Sequence, residues 1–239
     1  MSEYKTINRT VDHADANIDA GLRAHMRQVY GLMATAMIVS GAVAYGVAHS
    51  PLLSIIHGNG ILRMIAMFLP LVMVFGFGAA ASRLSQAGAT AFFYAFSAAM
   101  GLSMSYIFIR YTDSSIFTTF LTTAVAFGAL SLYGYTTKRD ISAWGSFLMM
   151  GVIGLIVASI LNIFLGSGAL QFAISSIGVL IFAGLTAYDT QNIKNQYLQA
   201  RYASGMESHG KLAIFGALNL YLDFVNMFQF LLSFLGGRE

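Results

Sequence analysis

Long apolar runs separated by short polar breaks make up most of this 239-residue chain. A helix needs about 20 predominantly apolar residues to cross a bilayer. By that measure the runs predict seven spans. They cover about Val29 to Ala48, Met64 to Ala81 with Pro70 inside, Ala89 to Ile109, and Ile116 to Tyr135. The last three cover about Trp144 to Leu165, Leu170 to Asn192, and Leu212 to Leu235. Membrane-spanning strands would alternate polar and apolar residues over about 10 positions. These runs do not alternate, so the expected fold is an all-α membrane protein with seven transmembrane helices, preceded by a polar tail over residues 1–25. Most connections are short. The longest, Ile193 to Lys211, is polar enough to carry the sixth helix onward into water. The Gly151–Gly154 spacing in the fifth span suggests close helix packing.

Composition agrees with that pattern. Charged residues make up 10% of the chain and hydrophobic ones 57%, whereas a soluble domain carries about 25% charge. The absence of cysteine excludes disulfides, thiolate metal sites and a cysteine nucleophile. Residues 1–25 lack the apolar core of a signal peptide. The net charge of +3 reflects membrane topology rather than a nucleic-acid partner. Ten of the 13 lysines and arginines fall on one side of the seven spans: Lys5, Arg9, Arg23, Arg27, Arg83, Lys138, Arg139, Lys194, Arg201 and Lys211. Arg63, Arg110 and Arg238 fall on the other. Positive charge collects in the cytoplasm, so the N-terminus is expected inside and the C-terminus outside.

Eight of the ten acidic residues lie in the tail, the loops or the C-terminus; Asp189 and Asp223 lie within spans. A charged Asp at a helix centre costs about 2.5–3.5 kcal/mol on insertion, and such residues usually mark a functional path. The plainer reading is a protonated Asp that only hydrogen-bonds helices together. Asn219, Asp223 and Asn226 share one face of the seventh span, with Gln229 continuing the stripe, and Thr186 shares a face with Asp189. Such stripes should face each other or a water-filled cavity. If the two acids meet, they titrate as a unit. Arg83, at the end of the second span, is placed to reach them; as a simple topological anchor it is equally well accounted for. Depth poses a difficulty. Asp189 falls near the end of its span, whereas Asp223 is about 11 residues into the seventh, or roughly 16 Å at 1.5 Å per residue. Either the sixth helix continues past Asn192, or the seventh starts outside the membrane, or the acids do not touch. The five histidines lie outside or at the edges of spans, and no metal-ligand spacing is present.

The segments Ala187-Tyr188-Asp189-Thr190-Gln191-Asn192-Ile193-Lys194 and Leu220-Tyr221-Leu222-Asp223-Phe224-Val225-Asn226 resemble the paired signatures of the Bax inhibitor-1 family, and the likeness runs from about His25 onward. The resemblance implies a central seventh helix surrounded by the other six. It also implies a bacterial inner-membrane protein acting as a pH-sensitive Ca²⁺ leak. In that family two aspartates, matched by Asp189 and Asp223, form a hydrogen-bonded dyad near the cytoplasmic side, and an arginine at the end of the second span acts as a latch on it. Arg83, 11 residues before Tyr94 in Phe93-Tyr94-Ala95-Phe96, matches the latch position. Other relatives are associated with restraining a membrane-bound protease.

The leading expectation is therefore a pH-gated Ca²⁺ leak whose partners are the lipid bilayer, Ca²⁺ and protons. Asp189 and Asp223 would form its weak metal site, supported by Asn219, Asn226 and Thr186. No cofactor beyond transient Ca²⁺ is expected. The alternative is a membrane regulatory protein that modulates a membrane-bound protease or stress survival by protein–protein interaction, with residues 1–25 as the contact. A transporter is disfavoured by the lack of internal repeats. An enzyme is not expected, because no nucleophile–base pair or metal motif is present. The four lysines lie outside the spans, which disfavours an intramembrane Schiff base.

Overall fold

The computed structural model describes residues 2–80, 83–203 and 209–237. The elements among them are helices: α1 (Ser2–Ala48), α2 (Leu52–Gly58), α3 (Gly60–Ala80), α4 (Gln86–Met104), α5 (Ile107–Arg110), α6 (Asp113–Thr136), α7 (Trp144–Leu165), α8 (Gly168–Ala203) and α9 (His209–Leu235). Among the described residues, seven stretches are long and apolar enough to cross a membrane, with α4 and α5 together forming the third. Ala81, where the second span was expected to end, lies outside the described residues, as do Glu207, Arg238 and Glu239.

Local chemistry explains several boundaries. Ser85 caps α4 by accepting from the Gly88 N–H at 3.1 Å, and Thr112 caps α6 by accepting from the Ser115 N–H at 3.3 Å. Such oxygens satisfy N–H groups that a first helical turn leaves open. Helix α7 stops at Gly166, whose φ of +60° is cheap only for a residue without Cβ. The expected third span is not continuous. It breaks at Ser105 and Tyr106 between α4 and α5, where the Ser105 hydroxyl bonds the Leu102 carbonyl at 2.8 Å and offers the backbone an alternative partner. Helix α1 passes through residues 25 and 26 without interruption.

The sixth helix settles the question of depth. Helix α8 continues past Asn192 to Ala203. Asp189 then stands 12 residues before Arg201, where the spanning segment ends, and Asp223 stands 13 residues after Gly210, where the next one starts. Two helices that run in opposite directions from one end of the bundle thus carry their acids at matching depth.

Helix α9 packs against α1, α4, α6 and α8, and its Phe215 ring lies 5.2 Å from that of Phe77 on α3. Half of its spanning stretch (50%) is buried, against 11% for α7, which rests on α8. Glycines permit the closest crossings. A Cβ at Gly134 of α6 would strike the Ala187 backbone of α8, and one at Gly101 of α4 would strike the Ser40 backbone of α1. On α7, a Cβ at Gly151 would come 2.7 Å from the Ile181 side chain, whereas Gly154 faces open space. The expected close packing therefore holds at one glycine of that pair.

Candidate functional site

The carboxyl groups of Asp189 and Asp223 are in hydrogen-bonding contact. Asp189 is partly buried, and Asp223 is only 4% exposed. An ionised carboxylate only accepts hydrogen bonds, so two of them can share one only with a proton between them. No N–H or hydroxyl group among the described residues donates to the buried Asp223 Oδ2.

Two threads of hydroxyl groups hold the helices that carry the acids. Beside Asp189, the Thr190 hydroxyl donates to the Thr186 carbonyl at 2.8 Å. Its single proton is thereby used, so it accepts from Ser131 Oγ at 2.8 Å, and Ser131 in turn accepts from the Tyr30 hydroxyl at 2.6 Å. This thread runs from α1 through α6 to α8. The second lies two residues before Asp223. The Ser40 hydroxyl donates to the Ser97 carbonyl at 2.7 Å, which leaves it to accept from Tyr221 at 2.6 Å. Tyr221 is fully buried, so α9 is tied to α1 and α4 within one turn of its acid.

The supporting residues expected from the sequence are placed differently. Thr186 is fully buried, and its hydroxyl bonds the Phe182 carbonyl of its own helix at 2.8 Å. Asn226 donates to the Leu222 carbonyl at 2.8 Å, and Asn219 is exposed. Sharing a helical face sets residues one turn apart, and each polar group then takes the partner nearest to it. Arg83 is exposed in the turn before α4 and makes no hydrogen bond or ion pair with either acid. The structure thus brings Asp189 and Asp223 together without Arg83.

Sequence reasoning missed Tyr30, Ser40, Ser131, Thr190 and Tyr221. Isolated hydroxyls in apolar spans commonly bond their own helix, so no periodicity marks those that reach across. It also missed His25, placed at the edge of the first span, which is buried within α1 and stacked on Tyr197 of α8 with ring centroids 4.7 Å apart. Among the described residues no third acidic or histidine side chain joins the pair.

Seven apolar spans around a buried carboxyl pair define a polytopic α-helical membrane protein. A family model described as "Inhibitor of apoptosis-promoting Bax1" matches residues 22–239, and the chain belongs to the Bax inhibitor-1 family. A protein of Caulobacter vibrioides is 47% identical over 95% of this chain and 94% of its own length. "Inner membrane protein YbhL" of Escherichia coli K12 is 43% identical over 92% of this chain and 94% of its own. A protein of Rickettsia prowazekii is 41% identical over the full length of both.

Proposed function

We propose that this protein is a pH-sensitive Ca²⁺ leak of a bacterial inner membrane, with its N-terminus in the cytoplasm. It would open and close through the Asp189–Asp223 pair and catalyse no chemical step. One observation carries this reading: two acids from antiparallel helices meet at equal depth inside an otherwise apolar bundle. Their hydrogen bond needs a proton, so proton loss separates like charges and loosens α8 from α9 at that point. The freed oxygens are hard ligands of the kind Ca²⁺ prefers. Ca²⁺ takes about 6–8 oxygens, so a pair of carboxylates suits an ion that keeps most of its water and passes on. Arg83, unpaired with the acids here, is the latch that would engage them once they are ionised. The name of the Escherichia coli relative supports the inner-membrane location, and the ten-to-three bias of basic residues supports the orientation.

The test is Ca²⁺ efflux from loaded proteoliposomes at neutral and mildly acidic pH. A proton coupling of ~1–3 kcal/mol would change wild-type flux roughly 5–150-fold. Asp223→Asn keeps a hydrogen-bonding side chain but cannot ionise, so its flux should lose that pH response. A variant that folds and responds to pH as the wild type does would refute the pair as the gate.

A further inference from the structure

A cavity of about 820 Å³ opens sideways from the bundle between α1 and α6, outside the carboxyl pair. Its size falls within the ~300–1,000 Å³ of small-molecule sites, and its walls are almost wholly apolar and aromatic. The lining runs along α1 from Tyr30 to Tyr45 and along α6 from Asp113 to Phe127. At 1.5 Å per residue that is roughly 20 Å of groove parallel to the spans, longer than the ~15 Å half-thickness of a bilayer core. The floor is α9, through Phe224, Val225 and Phe228, each 3–4% exposed. The rim residues Ile38 (71% exposed) and Phe117 (63%) belong to the apolar belt that faces lipid. The groove is thus an inward continuation of the lipid-contacting surface.

We infer that this groove holds one acyl chain of a membrane phospholipid as a resident ligand, lying against α9 on the flank of Asp223. The walls supply almost only methyl, methylene and ring contacts, and the Ser40 hydroxyl within them is already engaged by Ser97 and Tyr221. The Tyr30 hydroxyl is likewise engaged by Ser131, and the polar groups of Tyr45 and Asp113 belong to the end of the lining beside His49. The opening faces the bilayer, whose chains are the apolar material at that depth. At the groove's far end the side chains of His49 and Asp113 lie 4.0 Å apart and are 45% and 70% exposed. The headgroup would sit there, where the spans reach the interface. This inference is independent of ion conduction.

The experiment reconstitutes the full chain in phosphatidylethanolamine–phosphatidylglycerol vesicles with a phospholipid carrying a photoreactive group on its acyl chain. Mass spectrometry then maps the labelled residues and counts phospholipids retained through detergent washing. The expected result is label on Val225 and Phe228 and one phospholipid held per chain. Gly41→Trp fills the groove, since a Cβ at Gly41 meets nothing within 4 Å; it should lose both the α9 label and the retained lipid. Gly154→Trp on α7 projects into open space outside the groove and should keep both, which reports on the fold. Label confined to outward residues such as Ile38 and Phe117 would overturn the inference. So would lipid retention unchanged by Gly41→Trp, or chain-to-chain contacts across the groove in place of lipid.

Discussion

Removing the Ser40 hydroxyl would leave Tyr221, which is fully buried, with its O–H unpartnered. Interhelical hydrogen bonds in membranes average ~0.6 kcal/mol, whereas an orphaned buried polar group costs ~1–3 kcal/mol. Ser40→Ala should therefore destabilise by about 1 kcal/mol or more, seen as a lower melting temperature in detergent. Adding Tyr221→Phe removes the orphan, so the double variant should lose less than the sum of the two single losses. Outside the spans, Asp140 accepts from the Ser142 side chain and, at 2.9 Å, from its N–H. Both bonds favour the ionised form and hold its pKa below the usual carboxylate value. The sign follows from linkage: the stabilisation is present above the unfolded pKa and is lost as pH falls through the depressed one. An NMR titration should find Asp140 protonating later, on acidification, than an unconstrained aspartate. Asp140→Ala should destabilise the protein at neutral pH only.

At the scale of the element, the close crossing of α6 and α8 depends on Gly134. A methyl group there meets the Ala187 backbone, which cannot swing aside as a side chain can. Gly134→Ala should cost about 1–3 kcal/mol, as overpacking does. Gly128→Ala on the same helix meets nothing within 4 Å and should be neutral or slightly stabilising, because alanine favours helix. Thermal melting of the two variants in one detergent makes the comparison. Helix α7 is legible to the residue, Trp144–Leu165, because an aromatic anchor opens it and Gly166 ends it. The onward course of α8 is harder to read, because Lys194, Asn195 and Gln196 are polar and hydropathy registers membrane rather than helix. The break after Met104 has neither Gly nor Pro to announce it. The short helix α2 follows Pro51 in a stretch too short to register as a span.

Across the whole molecule, the part of the site visible in the sequence was its pair of acids, because charge within lipid is rare enough to count by eye. Their contact was not visible, since it depends on where α8 stops. The hydroxyl threads were hidden because they depend on which helices are neighbours, and no local spacing encodes that. The same continuity of α8 has a mechanical consequence. From Arg201 to Asp189 is one unbroken rod of about 18 Å at 1.5 Å per residue. A sideways tilt of about 10° about the Arg201 end would carry the Asp189 backbone roughly 3 Å, on the order of a whole hydrogen-bond length. Seen from the Arg201 end, helix α8 is thus a single arm about 18 Å long that carries one of the two acids. Tyr197, bound by Arg201 at 3.3 Å and stacked on His25 of α1, braces it near the fulcrum. The geometry of the pair is therefore sensitive to how firmly that one end is held.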